Sequence, residues 1–253
     1  MAIKAVLFDL GETLLNYGEV EVDDLFKRGA QQTYQYLAKL PCRKQLPDFT
    51  RYHRRHVRFI KWHVVWATLS RREFDCISLL GKKYREWGLE LQPEQMAELA
   101  WLWYEPLGKL ATVEPGVHQS LQQIAEMGLK MGVISNVFLP AAVLERQLEK
   151  FDLLRFFPVR VYSSAAVYRK PHPAIYRGAL AKLGVAPAEA VMVGDKLVED
   201  IRGARRLGMG AIFKRGLLNQ QRHPGRGVPV IDRISELPEV LRRMSSQETG
   251  ASS

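Results

Sequence analysis

From Val113 to the end of the chain, apolar and polar positions alternate in two textures. Short apolar runs of four to six residues give way repeatedly to segments with helical periodicity. The runs are Met131–Ser135, Val159–Ser164, Ala190–Asp195, Gly210–Phe213 and Val228–Ile231. They lack the in–out alternation of a half-exposed strand, so each predicts a strand buried on both faces. Between them the spacing predicts helices over Val117–Met127 (with Gly128 as its cap), Ala141–Lys150, Pro173–Leu183 and Leu197–Leu207, and one more starting near Ser235. A further apolar run, Ala5–Phe8, stands alone at the N-terminus. Strands that alternate with helices form a parallel sheet wrapped on both faces, so the expected fold class is α/β, a doubly wound, Rossmann-like sheet.

Between Glu19 and Leu110 the texture differs. Glycine is sparse, and apolar or aromatic residues recur three or four apart, as in Tyr52, His56, Phe59 and His63, or Trp62, Trp66 and Leu69. This is a block of packed helices, inserted after the first strand. The expected organisation is an α/β core from residues 1–16 and 111–245, a helical cap from 17–110, and a disordered tail at 246–253, where SSQETGASS closes the chain. Trp62, Trp66, Trp101 and Trp103 are expected to form the core of the cap.

Composition narrows the class. With 253 residues, 47% hydrophobic and 25% charged, the chain is an ordinary globular protein with a substantial core. It has no apolar run near the roughly 20 residues that span a bilayer, and Asp9 and Glu12 interrupt the N-terminal apolar stretch. Cys42 and Cys76 lack metal-ligand spacing, which predicts reduced thiols and a cytoplasmic protein. The net charge is +10, and between Arg43 and Arg72 nine basic residues face only Asp48. Such a stretch suits a solvated helix face, an anionic small-molecule substrate, or a nucleic acid.

Polar groups sit at the carboxyl ends of the predicted strands, where open α/β sheets bind ligands. Asp9 ends the first strand, and Ser135 and Asn136 end the second. Lys170 lies beyond the third, stiffened by Pro171 and Pro173. Asp195 ends the fourth, with Asp200 close behind. A carboxylate nucleophile, a cation for phosphate oxygens and further carboxylates for Mg²⁺ make a set suited to phosphoryl transfer.

The stretches FDLGETL, VISN, RKPHPAIY and GDKLVEDIRGARRLG resemble, in order, the four motifs of the haloacid dehalogenase (HAD) superfamily. The inserted helices are similar to that family's C1 cap. The resemblance implies Asp9 as nucleophile, Lys170 as a catalytic and phosphate-binding cation, and Thr13, Ser135 and Asn136 on the substrate side. It also implies a magnesium site from Asp9, the Gly11 carbonyl, Asp195 and Asp200. Family phosphatases usually carry a second Asp two residues after the nucleophile, as acid and base for the leaving group; Gly11 stands there instead. Positioned acid–base catalysis is worth about 10²–10⁴ in rate, so three functions compete. The first is a Mg²⁺-dependent phosphatase of small phosphomonoesters. The second is a 2-haloacid dehalogenase, which needs neither that acid nor magnesium. The third is a weakly active or non-catalytic anion- or nucleic-acid-binding protein. The phosphatase is preferred because Asp195 and Asp200 are both retained. Glu12, Lys196 and Glu199 are weighed as accessory residues, and His53, His56 and His63 as a source of the missing proton. The basic residues Arg54, Arg55 and Arg58 are expected to favour a substrate with negative charge beyond its phosphate.

Overall fold

The computed structural model describes residues 2–41 and 46–250; Cys42, Arg43 and Lys44 lie outside that range. Its centre is a six-stranded, fully parallel sheet in the order β3-β2-β1-β4-β5-β6. The strands are β1 (Ala5–Phe8), β2 (Lys130–Ser135), β3 (Val159–Tyr162), β4 (Ala190–Gly194), β5 (Gly210–Lys214) and β6 (Val230–Ile231). Strand β1 lies between β2 and β4, pairing Leu7 with Gly132 on one side and with Met192 on the other. After β3 the chain returns past β1 to build the second half, so the order reverses at the C-terminal end of β1. In this architecture that reversal opens a ligand crevice.

The pleat explains the two layers. Ala5 and Leu7 point into one apolar cluster with Ile134, Met192, Tyr176 and Leu180, against helix α8 (Pro173–Leu183). Val6 and Phe8 point the other way, with Val133, Leu121, Leu144 and Leu241. These last three come from α5 (Val117–Glu126), α6 (Ala141–Lys150) and α10 (Leu237–Gly250). All four residues of β1 are buried, as its unbroken apolar sequence requires.

Between β1 and α5 come the inserted helices α1 (Val22–Leu37), α2 (Phe49–Ser70), α3 (Cys76–Arg85) and α4 (Pro93–Gly108). Their shared interior holds Tyr52, Ile60, Tyr84, Met96 and Trp103. The tryptophan expectation needs correction. Trp103 is buried and Trp101 packs at the margin beneath the Arg146 guanidinium, 3.8 Å from its ring centre. Trp62 and Trp66, however, are 62% and 43% exposed, on a stripe with Val65 and Leu69. Helical spacing shows that residues share a face; it does not show that anything covers that face.

Two other local differences follow from turn chemistry. Strand β3 stops at Tyr162, and Ser163–Ala166 form a short helix, α7. The expected helix after β4 begins as a π-helical turn, Leu197–Arg202, and becomes α-helical only at Gly203–Arg205 (α9). Such turns cluster at functional positions. Helix α10 also runs to Gly250, into the segment expected to be disordered. No described helix is long and apolar enough to cross a membrane. Cys76 is a free thiol whose burial pushes its pKa up to about 12.

Candidate active site

The carboxyl ends of β1, β2 and β4 converge with the loop after α7 on one buried cluster. Asp9, Asp195, Asp200 and Lys170 are all buried. The Lys170 ammonium donates to Asp9 Oδ1 at 2.7 Å, to Asp200 Oδ1 at 2.6 Å and to the Ile134 carbonyl at 2.8 Å. An ammonium has three donors, so all are committed, and Lys170 fixes the two carboxylates relative to the end of β2. The Asn136 amide fixes Lys170 in turn: its Oδ1 accepts from the Lys170 backbone N–H at 2.7 Å, and its Nδ2 donates to the Lys170 carbonyl at 3.0 Å. Asn136 was expected to meet the phosphate; here its amide clamps the loop that carries the lysine.

Charge in the cluster is unequal. Burial alone would raise the Asp9 pKa, but Lys170 and Lys196 outweigh it and hold the carboxyl below its ordinary value. Burial also pulls against the Lys170 charge, and Asp200 and Asp9 more than restore it. Asp195 is pushed up to about 8 by burial and by the neighbouring Asp9 charge. Asp200 rises to about 6, burial prevailing over Lys170. Asp9 is thus the carboxylate the surroundings keep ionised, which a nucleophile needs.

Among the described residues, Asp9, Asp195 and Asp200 are the acidic, histidine or cysteine side chains that bring ligand atoms within 4.8 Å of one another. Asp195 Oδ1 is buried without a hydrogen-bond partner. Three carboxyls face only two ammonium groups, Lys170 and Lys196, and the crowding that raises Asp195 would be relieved by a cation; an all-oxygen donor set suits a hard divalent one such as Mg²⁺. Gly194 makes the arrangement possible, because a Cβ there would overlap the Asp200 carboxyl.

A cavity of about 250 Å³ opens at Asp9, and Gly11, Ser135, Asn136 and Lys196 line its inner end. Tyr17 and Tyr104 also face it, their hydroxyls 3.0 Å apart. A larger, open cleft of about 720 Å³ beside Lys214 contains neither Asp9 nor Ser135. Thr13 is buried beneath the β1 turn and is not part of the cavity wall. Glu12 adopts a left-handed backbone, φ 57°, and its Oε1 accepts from the Tyr17 N–H at 3.0 Å. Its carboxylate therefore closes the turn.

The histidines weighed as proton sources are elsewhere. His56 is buried and stacked on Trp103, His63 packs on Phe59, and His53 stacks on Phe49. None lines the cavity. His172 caps α8, its Nδ1 accepting from the Ala174 N–H. Arg54, Arg55 and Arg58 are also absent from the cavity wall. Sequence reasoning missed Tyr17, Tyr104 and the apolar wall. They meet only through the packing of α1 and α4 over β1 and β2, and no local pattern announces that.

A family model described as haloacid dehalogenase-like hydrolase matches residues 3–208. The chain belongs to this family. It is 30% identical over 247 residues to the glyceraldehyde 3-phosphate phosphatase of Methanopyrus kandleri, covering 96% of this chain and 99% of that one. Among solved structures, a HAD phosphatase from Thermococcus onnurineus is 26% identical with a TM-score of 0.59, covering 94% of this chain and 98% of its own. A 2-haloacid dehalogenase from Pseudomonas syringae pv. Tomato DC3000 superposes with a TM-score of 0.65 at 24% identity, covering 96% and 99%. That last likeness concerns the HAD fold alone.

Proposed function

We propose that this HAD hydrolase is a Mg²⁺-dependent phosphatase of small phosphomonoesters that works through an aspartyl-phosphate on Asp9. Similarity to a curated phosphatase along nearly the whole chain supports the reaction class. The observation that carries the mechanism is the ionised Asp9, held by Lys170 at the cavity end beside two further buried carboxylates.

Lys170 occupies Asp9 Oδ1, which leaves Oδ2 to attack phosphorus while the alcohol departs. Ser135 and Lys196, at the inner end of the cavity, face the position of the phosphoryl oxygens and offset their charge. Asn136 keeps Lys170 in place throughout. Asp9, the Gly11 carbonyl, Asp195 and Asp200 would hold Mg²⁺, which when bound screens the phosphate from the carboxylates and stabilises charge on the transferring group. Residues 17–110 act as a cap whose helices α1 and α4 cover the site and keep water away from the reacting centre.

Gly11 leaves the departing alcohol without a carboxylic acid. The unaided reaction is slow enough that losing about 3–5 kcal/mol of acid–base assistance still permits large catalysis. Halide displacement would need no such acid, and that keeps dehalogenation as the second reading. The three-carboxylate cluster argues against it, because displacement of halide by Asp9 gives no use for a bound cation.

A panel of phosphomonoesters assayed with Mg²⁺ and with chelator, beside folded Asp9→Asn protein, tests the proposal. Phosphate release that needs both the metal and Asp9 is expected. Release unaffected by the substitution would refute it, and chloride release from 2-chloropropionate would favour the second reading.

A further inference from the structure

The cavity at Asp9 is polar at one end only. Beyond Asp9, Ser135 and Lys196 its wall is built from Leu25 and Phe26 of α1, Trp103 and Leu107 of α4, and Phe138 and Leu144 of the core. Among the described residues no arginine lines it, and the charged side chains that do are Asp9 and Lys196 at the phosphate end. The polar groups nearby are few, and each already has one partner. The Asn136 amide holds Lys170, and the Tyr17 and Tyr104 hydroxyls hold each other at 3.0 Å.

From this geometry we infer that the site selects phosphomonoesters of uncharged aromatic alcohols or phenols, with the ring seated among Phe26, Trp103, Leu107 and Phe138. The inference rests on the phosphatase reading of Asp9 and adds its substrate class. A carboxylate or ammonium on the leaving group would enter this wall without an opposite charge to pair with, at a large desolvation cost. Several sugar hydroxyls would outnumber the polar partners on this wall, where the tyrosine pair keeps one free O–H donor and the rest is hydrocarbon. A ring has no such requirement and finds edge and face contacts, as Phe26 and Trp103 already do with centroids 5.4 Å apart. Size agrees: roughly 150 Å³ of apolar cavity holds a benzene molecule, and about 250 Å³ leaves room for the phosphate end as well. The chemistry at Gly11 converges on the same class from a separate direction. Phenols are better leaving groups than alkyl alcohols, so they depend least on the missing acid.

The test separates ring recognition from leaving-group chemistry by comparing two primary alkyl esters, benzyl phosphate and O-phosphoserine. The expected kcat/KM is at least tenfold higher for benzyl phosphate, and Leu25→Arg, which brings a cation to the wall, should narrow that ratio. Titration of wild-type protein with benzylphosphonate and 2-amino-3-phosphonopropionate, both with Mg²⁺, reads the cavity without turnover. Benzylphosphonate should bind at least tenfold more tightly. Equal or reversed preference in the phosphonate pair overturns the inference whether or not an ester is hydrolysed. Asp9-dependent hydrolysis that prefers phosphoserine overturns it while leaving the phosphatase reading intact. If benzylphosphonate binds preferentially and no ester is hydrolysed, ring recognition stands and the phosphatase reading falls.

Discussion

At position 11, the residue that departs from the family pattern, an added Cβ would meet only the Tyr17 ring, at 3.8 Å, and the backbone is not left-handed. Neither sterics nor backbone conformation demands glycine there. Gly11→Asp should therefore fold and bring a carboxyl to the cavity end beside Asp9. For alkyl phosphates the expected gain in kcat is about tenfold or more, a fraction of the roughly 10²–10⁴ that positioned acids supply. The slope of log kcat/KM, which reports departure of the alcohol, against leaving-group pKa should flatten in the variant. If Gly11→Asp is well folded and leaves both quantities unchanged, another group already supplies the proton. The hydroxyl nearest that role is Tyr17, but burial pushes its pKa up to about 12, and it is already paired with Tyr104.

At the scale of elements, two features of the inserted helices have measurable consequences. His56 lies inside them, against Tyr52, Tyr84 and Trp103, and burial, reinforced by His53, pulls its pKa down to about 3. In the unfolded chain the imidazole titrates near 6.5. Above that value the group is neutral in both states and has no effect on stability. As pH falls from about 6.5 toward 3, only the unfolded chain takes up the proton, and stability drops by about 1.4 kcal/mol per pH unit from this residue. Urea titrations at pH 7.5 and 5 should thus differ by about 2 kcal/mol less in His56→Leu than in the wild type. Equal pH sensitivity in the two proteins would rule this out. The second feature is a strap between cap and core. The Glu73 N–H donates to the Val167 carbonyl and the Arg169 N–H to the Arg71 carbonyl, directly before Lys170. Glu73 Oε2 also accepts from Ser163 Oγ at 2.6 Å and lies 3.7 Å from the Arg169 guanidinium. Glu73→Ala would leave the Arg169 guanidinium without its carboxylate, while Ser163 keeps its bonds to Val137, and should cost about 1–3 kcal/mol. Arg71→Ala, on an exposed side chain of the same strap, should stay within about 0.5 kcal/mol. Similar urea midpoints for the two variants would show that the strap is not held by Glu73.

Across the whole molecule, what the sequence revealed and what it hid divide along a physical line. The parallel strands were legible because burial on both faces leaves unbroken apolar runs, and Asp9, Ser135, Lys170, Asp195 and Asp200 could be placed because that topology gathers strand ends. The surroundings of those residues were hidden. The apolar wall is assembled from α1, α4 and the segment after β2, far apart in the chain, and the exposure of Trp62 and Trp66 depends on a partner that periodicity does not report. The basic residues Arg54, Arg55 and Arg58 lie away from the cavity, so the excess of +10 describes the surface more than the substrate. The central proposal is a covalent phosphoryl group on Asp9 that would form faster than, with no acid or base at Gly11, it is hydrolysed. Single-turnover mixing with a ³²P-labelled phosphomonoester and Mg²⁺, followed by acid quench and peptide mapping, tests it directly. The predicted result is hydroxylamine-labile label on the peptide containing Asp9, appearing with alcohol release and before free phosphate, and absent from Asp9→Asn. Phosphate released in step with the alcohol, with no label on Asp9 at any time during turnover, would contradict the account.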